Sequence, residues 1–268
     1  MNGMKAYILP TGVIWSDLNN NVAHAVHASA ADRNPDLVFG PGPMYAVLID
    51  HPTAGLILFD TGAPLDAAER WPACIMRDLE LTFGPGEDLV EQLATIGVRP
   101  CDIGHVIVSH MHMDHMGNAY LFAETADFWV AKAEAEHALT TVFSTPDPAQ
   151  HGFYSKAEVS LPFRRLVYVE EDGELFPGID AVLLPGHTPG TMGIVLHLEG
   201  GTVIVTSDGI YRQENFEGTP PGVLHDSVAW RATIAKVRKL QKRYDAKLWF
   251  GHDPTLFPTL RKIPAYYE

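Results

Sequence analysis

The sequence predicts an α/β fold in which two β-sheets are covered by helices, and three observations carry that expectation. Seven short β-rich runs end in turn residues, and two segments carry apolar residues at helical spacing. The two kinds of segment interleave along the chain, with a strand-rich second half that ends in a late helix.

Taken in order, Tyr45–Asp50 and Leu56–Asp60 read as strands that each close on an aspartate. Leu89, Val90, Leu93 and Ile96 then repeat at helical spacing, opened by Gly86-Glu87-Asp88 and stopped by Gly97. His105–Ser109, Ala181–Leu184, Met192–Leu198, Thr202–Thr206 and Lys247–Phe250 read as strands, and Glu199-Gly200-Gly201 reads as a hairpin turn. Trp230, Ile234, Val237, Leu240 and Tyr244 form the apolar face of a late helix, with Asp226 or Ser227 as its N-cap. Ser16–Pro43 and Thr141–Arg165, rich in turn residues and prolines, read as long loops of the kind that often carry function. No repeat, low-complexity tract or linker interrupts the chain, so residues 1–268 read as one domain.

Composition narrows the function classes. Lys and Arg number 19 against 33 Asp and Glu, and a net charge of −14 repels phosphate backbones, which argues against a nucleic-acid partner. No apolar run approaches the roughly 18 residues of a membrane helix. MNGMKAYILPTG lacks the apolar stretch of a signal peptide, so the expectation is a soluble, cytoplasmic protein. Two cysteines, Cys74 and Cys101, make neither a disulfide framework nor a cysteine zinc site. The 13 histidines are the unusual feature, and any transition metal here would be held by imidazole and carboxylate.

The strongest signal is His110-Met111-His112-Met113-Asp114-His115, which directly follows the apolar run Val106-Ile107-Val108. Residues two apart on extended chain lie on one side, roughly 6.5 Å apart, so alternate histidines can converge on one ion. Four nitrogen and oxygen donors in six residues suit zinc. Further strand ends each deliver a ligand-type residue: Ala181–Leu184 leads to His187, Thr202–Thr206 to Asp208, Lys247–Phe250 to His252, and Leu56–Phe59 to Asp60. Convergence of several strand ends on one rim is how α/β folds assemble a site. Asp60 is the weakest of these, because an acid after a strand is also a common turn residue.

These residues resemble the metallo-β-lactamase fold family. Its motif is matched by His110, His112, Asp114, His115, His187, Asp208 and His252. Leu58-Phe59-Asp60-Thr61-Gly62 and Gly186-His187-Thr188-Pro189-Gly190 resemble its other signature turns. The resemblance runs from about Tyr45 to His252. It implies an αββα sandwich with a dinuclear metal centre at the sheet edges: His110, His112 and His187 on one metal, Asp114, His115 and His252 on the other, Asp208 on both. Two zinc ions per chain are expected, with iron, manganese or cobalt as alternatives.

Within the fold, Ser207–Glu217 looks like the N-acyl homoserine lactone hydrolases, which place a tyrosine three residues after the bridging aspartate; here that is Tyr211. His115-Met116-Gly117-Asn118 departs from that group, which usually has two glycines there, and the Ser16–Pro43 loop matches nothing in it. Both departures are expected at the pocket walls. The implied reaction is opening of a lactone ring by a hydroxide shared between two cations, which lower the pKa of water from 15.7 toward about 7. Tyr211 would polarise the carbonyl oxygen, and Asp114 would act as ligand and proton shuttle. Asp60 would orient a ligand histidine. Met44, Phe143, Phe153, Tyr154 and Phe216 are candidates to shelter an acyl chain.

The expected partner is therefore a small lactone, with ring, acyl length and homodimer formation left open. A glyoxalase-II-like thioesterase shares the ligand set, but only 60 residues (268 − 208) follow Asp208, too few for its usual helical, basic extension. A persulfide dioxygenase would place one iron on His110, His187 and Asp208, a facial two-histidine, one-carboxylate set.

Overall fold

In a computed structural model, which describes residues 3–268, the chain folds into four layers, helix–sheet–sheet–helix. The first sheet contains β1 (Lys5–Asp17), β2 (Phe39–His51), β3 (Gly55–Phe59), β4 (Glu80–Thr82), β5 (Ile103–Val108), β6 (Asp127–Ala131) and β7 (Arg165–Val169), in the order β4-β1-β2-β3-β5-β6-β7. The second contains β8 (Gly173–Phe176), β9 (Ile179–Leu183), β10 (Met192–Leu198), β11 (Gly201–Ser207) and β12 (Lys247–Phe250), in the order β12-β11-β10-β9-β8. Both sheets are mixed: β3, β5, β6 and β7 run parallel, as do β11 and β12, and the other pairs are antiparallel.

Period-two alternation explains why the central strands read as unbroken apolar runs. Val47 and Ile49, Ile57 and Phe59, and Ile107 face the second sheet, where they meet Ile194, Leu196, Val203 and Val205. Their neighbours Leu48, Leu58, Val106 and Val108 point the other way, onto Leu89, Leu93, Ala135 and Ala138 of the outer helices. On the far side, Val182, Val195 and Ile204 pack under Trp230, Ile234 and Val237 of the helix Ser227–Tyr244. Strands buried on both faces need no polar side, which is the signature of covered sheets.

The expected strands and both helices are present within one to a few residues of their sequence bounds, apart from Tyr45–Asp50, which lies within the longer β2. Leu198 pairs with Gly201 across Glu199-Gly200, closing the hairpin, and Asp226 caps the late helix through Val228 and Ala229. The expected loops are shorter than read. β1 continues to Asp17, Leu18–Asn21 forms a helical turn, and β2 already begins at Phe39, so only residues 22–38 are irregular. Likewise Thr141–Ser144 ends the helix Lys132–Ser144, and Lys156–Val159 forms another turn inside the second stretch. β1 escaped the sequence pattern because Pro10 and Gly12 look like a break; a register shift between Pro10 and Val13, with Gly12 at φ 100°, absorbs them as a bulge. Among the described residues no helix is long and apolar enough to cross a membrane.

Candidate metal centre

The parallel strands set the site, because their carboxyl ends open on one rim. Ser109 and His110 follow β5, and the next residues wind into the one-turn helix Met113–Met116, which displays Asp114 and His115. His187 sits in the turn after β9, Asp208 directly follows β11, and His252 lies two residues beyond β12. All seven are brought together, and they fall into two groups whose donor atoms lie within 4.8 Å of one another.

The first group is His110, His112 and His187. Nε2 of His187 lies 3.2 Å from Nε2 of His110 and 3.0 Å from Nδ1 of His112. The second is Asp114, His115, Asp208 and His252, with Nε2 of His115 3.3 Å from both Asp114 Oδ2 and Asp208 Oδ1, and Nε2 of His252 3.1 Å from Asp208 Oδ1. Asp208 divides its oxygens: Oδ2 faces the first group, 3.4 Å from His187 Nε2, and Oδ1 faces the second. His115 Nε2 and Asp208 Oδ1 are fully buried yet make no hydrogen bond, a costly state for polar atoms that a cation between them would relieve. The donor set, five imidazoles and two carboxylates with no thiolate, fits two borderline divalent ions.

Electrostatics separate the groups. Burial, then the neighbouring rings, holds His110 and His112 well below the usual imidazole range, and burial lowers His187 as well. Burial also pushes His115 and His252 down, but for them the carboxylates win: Asp114, Asp208 and Asp60 raise His115 well above its ordinary value, and Asp208 raises His252. Burial opposes ionisation of Asp114 and Asp208, yet the facing imidazoles hold Asp114 to about 2 and Asp208 well below the carboxylate range.

Orientation comes from beneath. Asp60 accepts from Nδ1 of His115 at 2.8 Å, and from the backbone N–H and the hydroxyl of Ser109 at 2.7 Å each. It therefore occupies the orienting position expected of it. Ser109 Oγ lies 3.0 Å from His110 Nδ1 and accepts from Ser207 Oγ at 2.8 Å. The carbonyl of Pro43 accepts from His252 Nδ1 at 3.1 Å. Asp60 and Ser207 adopt positive φ (58° and 44°), strained conformations of the kind that collect at functional sites. Sequence reasoning missed Ser109 and Ser207, whose flanking positions beside His110 and Asp208 were the only signal available.

An open cavity gives access to the donors. It is lined by His112, Asp114, His187, Asp208, Tyr211 and His252 together with Ile14, Ser16, Asn20, Asn21, Leu79, Phe153 and Val223. Tyr211 Oη lies 2.9 Å from His187 Nδ1. With Nε2 of His187 turned to the cluster, Nδ1 carries the proton and donates, so the Tyr211 hydroxyl keeps its own hydrogen, which lies within reach of the Asp208 carboxylate. Burial, then Asp208 and Asp114, holds this phenol well above its ordinary value, so it remains protonated.

The cavity corrects two expectations and meets a third. Of the five candidate acyl-chain residues only Phe153 lines it; Phe143 is 57% exposed, Tyr154 is turned onto Glu134, Phe216 packs on Phe250, and Met44 is buried with Trp71 and Met113. Asn118 is not a wall residue: its amide donates to the carbonyls of Thr61 and Ala63 at 3.0 Å each, stitching the Asp60 turn to the metal-binding helix. The 16–43 segment does reach the wall, through Ser16, Asn20 and Asn21. It is sewn to the segment after Tyr211: Gly222 N–H donates to Asn20 O, Asn215 Nδ2 to Asn21 O, and Ala23 N–H to Pro220 O.

A model of the metallo-beta-lactamase superfamily matches residues 39–252, a range that holds all seven donors. N-acyl homoserine lactonase AttM of Azorhizobium caulinodans is 28% identical over the whole of both chains. An N-acyl homoserine lactonase of a Bacillus species is 31% identical over 84% of this chain and 86% of its own. Among solved structures, a mutant of Bacillus thuringiensis AiiA with N-decanoyl-L-homoserine bound at the active site is 25% identical, with a TM-score of 0.82 over 99% of this chain and 100% of its own. With the family model spanning most of the chain and the fold matching at a TM-score of 0.82, this chain belongs to the metallo-beta-lactamase superfamily.

Proposed function

We propose that the chain is a metal-dependent hydrolase that opens the ring of N-acyl homoserine lactones, with His110, His112 and His187 holding one ion, Asp114, His115 and His252 the other, and Asp208 bridging. The observation that carries it is the Tyr211 hydroxyl, which shares one cavity with donors from both groups and has a hydrogen to give. The relatives that match over 84% or more of the chain are named N-acyl homoserine lactonases. Zinc is the expected metal, because imidazole and carboxylate without thiolate are borderline donors.

When bound, two such ions supply hydroxide from water at neutral pH and polarise a carbonyl. The residues do the rest. Tyr211 donates to the carbonyl oxygen as negative charge develops there. Asp114, ionised and at the cavity wall, is placed to take up a proton and pass it to the departing ring oxygen. Ile14, Leu79, Phe153 and Val223 give the acyl chain an apolar surface. A neutral lactone needs no cationic clamp, which agrees with a chain of net charge −14. The donor grouping weighs against a mononuclear iron dioxygenase, since one ion on the first group would leave Asp114, His115 and His252 unused.

The test is metal analysis with a substrate panel. Two ions per chain and faster turnover on N-acyl homoserine lactones than on β-lactams or phosphodiesters are expected. His112→Ala and His252→Ala should each lose metal and activity together. One iron per chain, or faster β-lactam cleavage, overturns the reading.

A further inference from the structure

Glu134 is a fully buried acid that plays no part in the chemistry above. It lies in the first turn of the helix Lys132–Ser144, behind the first donor group. Its Oε1 accepts from the backbone N–H of Met111 at 2.9 Å and from the Tyr154 hydroxyl at 3.0 Å; its Oε2 accepts from the Thr188 hydroxyl at 2.5 Å. The backbone N–H of Gly190 donates to the same carboxylate.

Those donors come from the segments that carry the first group. Met111 separates His110 from His112, Thr188 follows His187, and the Tyr154 ring packs edge-on against His112 with centroids 4.5 Å apart. One carboxylate thus joins the loop after β5, the turn after β9 and the ring wedged against His112. Among the described residues none of its hydrogen bonds reaches Asp114, His115, Asp208 or His252. Thr188 is itself held by Thr191, whose Oγ1 accepts from Thr188 N–H at 3.1 Å and lies 2.8 Å from Thr188 Oγ1. Asp60 supports His115 in the second group, whereas no carboxylate is bonded to the outer nitrogens of His110 and His187, which meet Ser109 and Tyr211.

We propose that Glu134 is a positioning residue for the three-histidine site: its carboxylate holds two backbone loops in the register at which His110, His112 and His187 converge on one cation. The assignment rests on the two-ion reading above and adds that direct support of the two ions is divided, Glu134 for one and Asp60 for the other, with Asp60 reaching the first only through Ser109. An amide at position 134 keeps the shape but loses the charge, and turns an N–H toward groups that are themselves donors.

The experiment is a titration of metal-free protein with cobalt(II) against a competing chelator, resolving two dissociation constants and the cobalt absorption of each site. His112→Ala and His252→Ala mark the spectra of chains that have lost the first or the second site. In Glu134→Gln the three-histidine site should weaken about 10–100-fold, the usual cost of losing such outer support. The other site should change less than about two-fold, and the spectrum at one equivalent should match His112→Ala. Tyr154→Phe and Thr188→Val, each removing one donor, should weaken the same site by less, and they carry the test if Glu134→Gln does not fold. Equal weakening of both sites, or none in either, shows a helix anchor and overturns the proposal. A parent chain that binds fewer than two ions overturns the two-ion reading and this assignment with it.

Discussion

The Asp60 carboxylate accepts a hydrogen bond from Nδ1–H of His115 at 2.8 Å, with both side chains buried, so the metal-facing nitrogen of His115 is fixed as Nε2 and turned into the cluster. Asp60→Asn probes this without straining the chain, because asparagine tolerates the φ of 58° found there. The amide removes the charge behind the ring and leaves one of the Ser109 donors unmatched. Affinity at the second site should fall about 10–100-fold and at the first site by less, since Asp60 reaches His110 only through Ser109, read by metal analysis after dialysis against chelator. Retention of both ions at parent affinity would contradict it.

Tyr211→Phe should keep its metals and its fold, since the ring still packs and no metal donor is lost, with a thermal midpoint lowered by no more than the loss of one hydrogen bond to His187 Nδ1. A lone donor to a developing oxyanion is worth about 10²–10³ in turnover, but under the two-ion reading an ion would share the same oxygen. The expected loss is nearer 10-fold, and kinetics on one good lactone decide it. Unchanged kcat and KM on every lactone tested would reduce Tyr211 to a packing aromatic.

Asn118→Ala should destabilise the fold while leaving substrate preference alone. The amide satisfies two carbonyls of the Asp60 turn, and stranding buried acceptors costs about 1–3 kcal/mol. Denaturant melts should show that loss, with the ranking of lactones by kcat/KM unchanged. A reordered ranking would put Asn118 back at the pocket wall.

Loading the two groups should differ in proton traffic. In metal-free protein the facing carboxylates raise His115 well above the usual imidazole range and raise His252 as well, so this group holds protons that an ion must displace. His110, His112 and His187 are lowered and already neutral. Affinity at the second site should therefore rise with pH through neutrality while the first stays nearly flat. Calorimetry in buffers of different ionisation enthalpy measures the release, and equal release from both sites would refute the division.

Much of the site is legible in the sequence because metal donors are rare residue types at tell-tale places. His110, His112, Asp114 and His115 are packed into six residues, and His187, Asp208 and His252 each follow an apolar run. Their supports are common residues in common settings, so nothing marks them. Glu134 sits two residues from Glu136 in a helix whose buried face is mostly alanine, and only the fold tells a buried glutamate from an exposed one. The fold shows the same limit. β10 and residues 45–49 of β2 announce themselves through apolar runs, whereas β1 is disguised by Pro10 and Gly12, and the direction in which Met44, Phe143, Tyr154 and Phe216 point is set by packing alone.

The seam between Asn20–Ala23 and Asn215–Gly222 has a consequence for how this enzyme diversifies. These two stretches grip each other through main-chain bonds and the Asn215 amide, so the side chains of Asn20, Asn21 and Val223 carry none of the seam's hydrogen bonds. Asn20, Asn21 and Val223 face the cavity from this panel, while the ion-holding residues hang from strand ends of both sheets. Frame and panel are thus separate inheritances: mutation can redecorate the panel, and with it the choice of acyl group, while the frame that performs the chemistry passes on untouched.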